Sequence, residues 1–224
     1  MDNFKVDFIE QKALEVMKAL QNNNMNPFYA KTSEDARKIV ESLLQKGDTV
    51  THGGSVTLKE CGILDVLKNG DYNYLDRSAP ELTPDEIMDI YRKSFFADVY
   101  LTSTNAITVN GELYNVDGNS NRVAAMLFGP KKVIVVAGYN KIVNSLEEAA
   151  NRVKTIAAPI NCKRLNKDTY CSEKCHCVSL NSDAPVMTSG CDSADRICRN
   201  FTVMTKQGNK DRVYVIIVGE ELGY

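Results

Sequence analysis

Apolar positions recur at helical spacing in two early stretches of the chain. Between residues 7 and 22, Ile9, Ala13, Met17 and Leu20 share one face, and the run stops in the Asn-rich NNNMNP. Between 33 and 45, Ala36, Ile39, Val40, Leu43 and Leu44 make a second amphipathic stripe. A short strand, DTVT, then leads into THGGSVTLKECG, where a further helix is expected. Thr83 and Glu86 have the spacing of a capping box, with Pro84 at the first helical position, so TPDEIMDIYRKSFFA reads as a helix with a well-defined start. The strands DVYLT and KKVIVVAG follow, and Ser145 with Glu148 repeats the capping pattern ahead of SLEEAANRVKTIAA. Strand and helix alternate, which predicts βαβ units and a mainly parallel sheet covered on both faces. Two late β-rich runs, NFTVMT and RVYVIIV, flank the polar QGNKD and suggest a terminal hairpin.

The chain has 224 residues and no Pro/Gly/Ser-rich linker or internal repeat, so a single α/β domain is expected over 1–224. Its parts are N-terminal helices (1–46), a core (47–160), and a cysteine-rich segment with C-terminal strands (161–224). Hydrophobic residues at 43% and charged residues at 25% allow a packed core without disulfide staples. A net charge of −2, with both signs interspersed, argues against nucleic acid or an anionic membrane as partner. The start MDNFKVDFIEQ lacks the pattern of a secretory signal, and VIVVAG and VYVIIV fall far short of the ~20 apolar residues that cross a bilayer. The expectation is a cytoplasmic protein, in which thiols, metal ligands or redox centres are favoured over structural disulfides.

Polar residues gather at two places where strands end. His52, Gly53, Gly54 and Ser55 follow DTVT; glycines there let backbone N–H groups approach an anion, although an ordinary strand-to-helix turn has the same composition. His52 reads either as a ligand donor or as a buried strand-end histidine, and Thr57 with Glu60 as a capping pair. Further on, Asn105, Asn110, Asn115, Asp117, Asn119, Asn121 and Arg122 crowd between two apolar strands. Asn110-Gly111 signals a hairpin and Asp117-Gly118 a second turn. Turn formation does not account for Arg122 beside a helix start, where a guanidinium can hold a carboxylate or phosphate, with Lys141 as another cation after the next strand. The two loops are expected to converge on one anion-binding cleft.

Six of the seven cysteines lie between 162 and 198: Cys162, Cys171, Cys175, Cys177, Cys191 and Cys198. Thiolate clusters suit zinc or an iron–sulfur cluster, with Cys171, Cys175, Cys177, Cys191 and Cys198 the candidate ligands and His176 beside them. No Cys-x-x-Cys pair is present, so free thiols or a redox disulfide stand as alternatives. Cys61, alone on its helix, reads as a small core residue.

The segments GGSVTLKECGI (53–63), ADVYLTSTNAITVNGELYNVDGNSNRVAAMLFGPKKVIVVAGYNKIV (97–143), RVKTIAAPIN (152–161) and the late DSADRIC together resemble the lactate-utilisation (LUD) domain family of LutC/YkgG-like proteins. The resemblance implies a Rossmann-like fold of the NagB/RpiA/CoA-transferase type. It places the family pattern on Gly53, Gly54, Ser55, Asn105, Asp117, Asn121, Arg122 and Lys141, and on Cys171, Cys191 and Cys198. SEKCHCVSLNSDAPVMTSG is longer than in compact relatives, which leaves open whether Cys175 or Cys177 takes the intervening position.

The resemblance further implies an accessory or catalytic subunit in oxidation of L-lactate or a related 2-hydroxy acid, working with iron–sulfur redox partners. Two other classes stand beside it: a sugar-phosphate or CoA-type small-molecule enzyme, and a metal-binding protein without turnover. An anionic small molecule is the expected ligand in the first two, and self-association is left open. No residue qualifies as nucleophile, because no Ser/His/Asp or Cys/His arrangement is legible.

Overall fold

A computed structural model describes residues 2–184 and 186–224. The strands are β1 (Asn26–Ala30), β2 (Thr49–His52), β3 (Asn73–Leu75), β4 (Val99–Thr102), β5 (Ala106–Thr108), β6 (Leu113–Asp117), β7 (Lys132–Gly138), β8 (Ile142–Val143), β9 (Asn200–Met204) and β10 (Val213–Val218). The helices are α1 (Asn3–Asn22), α2 (Ser33–Leu43), α3 (Val56–Glu60), α4 (Ile63–Asn69), α5 (Pro84–Lys93), α6 (Asn121–Leu127), α7 (Leu146–Arg152), α8 (Ala158–Arg164) and α9 (Tyr170–Lys174).

The main sheet has six strands in the order β1-β10-β7-β4-β2-β3, every pair parallel. Its faces follow the two-residue period of a strand. Val133, Val135 and Ala137 of β7, with Val213, Val215 and Ile217 of β10, pack against Ala13, Val16 and Leu20 of α1 and Ala125 and Met126 of α6. Ile134, Val136, Ile216 and Val218 point the other way, onto Ala36 and Val40 of α2, Leu58 of α3, and Ile63 and Leu67 of α4. Each such valine or isoleucine contributes about 1.5 to 3 kcal/mol by leaving water. The α/β architecture expected from the sequence, a mostly parallel sheet covered by helices, is the one observed.

A smaller sheet, β8-β5-β6-β9, stands beside it. Gly111 adopts φ +75° between β5 and β6, the left-handed turn that Asn110-Gly111 predicts. Over this sheet lies α7, with Ala149 and Ala150, and Val153 just after them, against Ala106, Tyr114 and Val116. Between α7 and α8 the chain makes a π-turn, Val153–Ala157, in which Ala158 N–H donates to Val153 O. Pro159 follows at the second position of α8. Having no N–H and a ring that crowds the preceding turn, it accounts for the local widening.

The terminal hairpin does not form. β9 pairs antiparallel with β6 in the small sheet, whereas β10 inserts between β1 and β7 of the large one. The run VYVIIV is apolar on both faces, which belongs to a parallel strand enclosed by helices and not to a hairpin arm with one wet face. The C-terminal strands are therefore part of the sheets and not an extension, and the core reaches beyond 47–160. β1 carries Pro27, tolerated because β1 is an edge strand. The expected Thr57/Glu60 cap is also replaced: Ser55 caps α3 by accepting from Leu58 N–H at 3.2 Å, and Thr57 is buried. No helix among the described residues is long and apolar enough to cross a membrane.

Candidate functional site

A cleft of about 480 Å³ opens at the C-terminal ends of the main-sheet strands. Gly54 and Ser55 enter it after β2, Arg77 after β3, Ser103 to Asn105 after β4, Lys141 after β7, and Gly223 and Tyr224 after β10. One side is closed by Asp117 and by Asn121 and Arg122 at the start of α6, and the roof by α8 and residues 195–199. Parallel sheets bind ligands at this end because the connecting loops diverge there.

Of the residues singled out in the sequence, Gly54, Ser55, Asn105, Asp117, Asn121, Arg122 and Lys141 line this one cleft. Gly53 lies just behind the wall. A Cβ at Gly53 would come within 2.8 Å of the Tyr100 hydroxyl and 3.2 Å of Arg122 Cγ, so the close approach there needs glycine. His52 is outside the lining. It is a buried strand-end histidine with Nδ1 2.8 Å from Gly53 O, and burial lowers its pKa.

The ionic lining is strongly one-sided: Arg77, Arg122, Lys141, Arg164, Lys167, Arg196 and Arg199 face two acids, Asp117 and Asp195. These cations are not equally available. Arg122 spends its donors on the protein: Nη1 reaches Asn115 Oδ1 (2.6 Å) and Ser103 O (3.2 Å), Nη2 reaches Val116 O (2.9 Å) and Asn105 Oδ1 (3.1 Å), and Nε lies 3.2 Å from Asp117 Oδ2. It fastens the β4, β6 and α6 walls together. Arg196 donates to Cys191 O, Cys198 O and Thr188 O, Arg199 to Ala194 O, and Lys167 pairs with Asp195.

Arg77 differs. Its guanidinium lies over the Tyr91 ring, 5.0 Å from the centroid, and among the described residues it makes no hydrogen bond or ion pair; its Nε is buried without a partner. It faces the glycine loop closely enough that a Cβ at Gly54 would meet Nη1 at 3.0 Å. Sequence reasoning missed it, because Arg77 comes just after a three-residue strand and DRSAP carries no recognisable motif.

Lys141 is 3% exposed and donates to the hydroxyls of Thr57 and Ser103, both at 3.0 Å. Burial, then the charges of Arg152 and Arg122, pull its pKa down to about 7, against weaker opposite pulls from Glu60 and Cys61. The sequence marks Thr57 only as a cap and does not mark Ser103; their place beside Lys141 arises only when α3, β4 and the turn after β7 meet.

A family model for the LUD domain matches residues 13–218. The chain belongs to the LUD domain family. A solved DUF162 family protein from Deinococcus radiodurans is similar over 94% of this chain and 98% of its own, at 14% identity and TM-score 0.52, a likeness of fold alone. Ribose 5-phosphate isomerase from Plasmodium falciparum aligns over 50% of this chain and 52% of its own, at 16% identity and TM-score 0.32. eIF2B beta from Chaetomium thermophilum aligns over 51% of this chain and 44% of its own, at 13% identity and TM-score 0.36. No curated protein matches the chain.

In this LUD domain Cys162, Cys171, Cys177, Cys191 and Cys198 surround a second, small cavity of about 30 Å³ whose walls include Tyr114, Met187 and Phe201. Cys175 lies elsewhere: it ends α9 in a left-handed conformation, is exposed, and accepts from Lys163 Nζ at 3.5 Å. The Sγ atoms of Cys162 and Cys171 are 3.7 Å apart, and all seven cysteines are free thiols. Among the described residues no three His, Cys, Asp or Glu side chains close around a point as a metal would need. Burial drives the Cys198 thiol up to about 12 and Cys162 to about 11, so this arrangement favours the protonated forms. Hydrogen bonds help fix the segment. Lys154, turned inward at the π-turn, donates to Ser179 Oγ, Val186 O and Ser189 Oγ, and Arg196 ties Thr188, Cys191 and Cys198.

Proposed function

We propose that this LUD domain binds a small anion of the 2-hydroxy-acid or 2-oxo-acid class in its cleft. On this reading it serves, as a LutC-like protein, in oxidation of L-lactate or a related 2-hydroxy acid alongside iron–sulfur redox partners. The observation that carries the reading is the cation-rich lining of a strand-end cleft in a chain of net charge −2, with Arg77 free of any hydrogen-bond or ion-pair partner among the described residues. A guanidinium stacked on an aromatic ring and without a carboxylate partner is preorganised to receive a carboxylate or phosphate through paired N–H donors. Membership of the LUD domain family supports the lactate side of the reading.

The same chemistry accepts a phosphate, which keeps a sugar-phosphate or CoA-type ligand as the competing reading. Calorimetric titration of the purified protein with L-lactate, pyruvate, ribose 5-phosphate and CoA separates the two. Saturable binding of the hydroxy or oxo acid supports the proposal, and binding of ribose 5-phosphate or CoA alone replaces it.

A second reading rests on the convergence of thiols: Cys171, Cys177, Cys191 and Cys198 as ligands of zinc or an iron–sulfur cluster. Their chemistry suits either group, but as placed they do not enclose an ion, so the side chains would have to turn inward and lose their protons on binding. Metal analysis of anaerobically purified protein tests it. One equivalent of zinc, or an iron–sulfur absorbance, supports this reading.

A further inference from the structure

We propose that Lys141 is a nucleophilic amine that forms an imine with the carbonyl of an anionic oxo compound held in the cleft. This rests on the anion-binding reading above and extends it from binding to covalent chemistry.

A lysine serving only to attract an anion is expected to be solvated or paired, and to stay protonated. Lys141 is instead 3% exposed, and the partners of its Nζ are two hydroxyls, Thr57 Oγ1 and Ser103 Oγ. The charged and titratable groups acting on it are Arg152 from α7, Arg122 from α6, and Glu60 and Cys61 from the α3 side, with burial and the two arginines outweighing the others. A large share of the amine is therefore neutral near pH 7, the state in which its lone pair can attack. Nζ also lies at the cleft, between the β4 loop and Gly223, where a Cβ would stand 3.4 Å from it. Anion capture does not depend on Lys141, because Arg77 supplies to the same cleft a guanidinium with no partner among the described residues.

The step balances without a co-reactant. The Nζ lone pair bonds to the carbonyl carbon while the C=O π pair moves to oxygen, which takes up a proton. The nitrogen gives up that proton, the resulting hydroxyl takes up a second one and leaves carbon as water, and the nitrogen lone pair closes the C=N bond as its remaining proton is released. The Thr57 and Ser103 hydroxyls, each 3.0 Å from Nζ, are placed to pass these protons. The ligand class is a small molecule with a carbonyl near a carboxylate or a phosphate.

The test uses the whole chain with pyruvate as the carboxylate probe and dihydroxyacetone phosphate as the phosphate probe, each reduced in place with cyanoborohydride and followed by peptide mass mapping. A saturable adduct on the peptide bearing Lys141 with either probe supports the proposal, and which probe reacts identifies the anionic group. Trapping below pH 7 should rise roughly tenfold per pH unit and level off above it. Lys141→Met, of similar shape, should abolish the adduct while circular dichroism shows an intact fold; the site assignment in the wild-type protein stands independently of that variant. Saturable calorimetric binding of a probe with no adduct overturns the imine while leaving the anion cleft intact. Adducts spread over surface lysines equally in both proteins overturn it too, and absence of both binding and adduct overturns the two readings together.

Discussion

Replacing Lys141 with Met exchanges a buried titratable amine for an apolar chain of similar length, and the pH dependence of the resulting stability change measures how the fold treats the charge. Folding lowers the Lys141 pKa from 10.5 to about 7. Below about pH 7 both folded and unfolded chains carry the proton, and the full cost of burying the charge is present. As pH rises from 7 toward 10.5 the folded protein has released the proton while the unfolded chain still holds it, so the unfolded state binds more protons and stability climbs. With these two pKa values the wild-type protein gains about 2 kcal/mol at this site between pH 7 and pH 9. Lys141→Met has no such term. Its loss of the bonds to Thr57 and Ser103 is a constant offset, and the other ionisable groups largely cancel in the difference. Urea unfolding of both proteins between pH 6 and pH 9 should therefore show the variant's relative stability steady below pH 7 and then falling by about 2 kcal/mol by pH 9. A difference flat across that range would mean that Lys141 keeps its proton in the fold, and the reasoning about burial and the neighbouring arginines would be wrong.

Arg122→Ala should cost about 3 to 5 kcal/mol in urea unfolding, because Asp117 and the carbonyls of Ser103 and Val116 lose their partner in a largely buried network. Arg122→Lys should recover only part of this, since one ammonium cannot span the same acceptors. Gly53→Ala should destabilise by about 1 to 3 kcal/mol and lower affinity in the cleft, as the new methyl presses on Tyr100 and Arg122; unchanged stability and binding would show that the wall yields freely. If a metal orders the cysteine segment, chelator should speed proteolysis within 162–198 while the main sheet stays protected. An unchanged digest of protein shown to have lost its metal would assign that order to the hydrogen bonds of Lys154 and Arg196.

Local signals in the sequence carried what local physics decides. Thr83 and Glu86 form the reciprocal cap their spacing predicts, and Ser145 caps α7. Asn110-Gly111 makes its turn because Gly111 accepts a positive φ. β7 reads as a buried strand from composition alone. Pairing was less legible: NFTVMT and RVYVIIV are neighbours along the chain, yet each is recruited by a different sheet, since the apolar faces of β10 need helices on both sides. In the cleft, the Gly-Gly-Ser and Asn/Asp loops stood out because turns leave a compositional mark. Arg77 leaves none, and Arg122 looked available because nothing in a linear sequence shows how many acceptors surround it. Lys141 was selected as a cation, whereas its burial beside Thr57 and Ser103 depends on three distant segments meeting. Cys175 and Cys177 could not be told apart by spacing, yet the left-handed turn at Cys175 sends the two thiols to different places.

Capture of a small anion in the cleft by Arg77 is tested most directly by calorimetric titration of wild-type protein and Arg77→Ala with L-lactate and pyruvate. Binding to the wild type should be saturable and weaken roughly 10- to 100-fold in the variant, the equivalent of about 1.5 to 3 kcal/mol for a charge-assisted hydrogen bond. Thermal unfolding should change little, because Arg77 gives up only its stacking on Tyr91. Equal affinity in the two proteins, or no binding of either acid to the wild type, would contradict it.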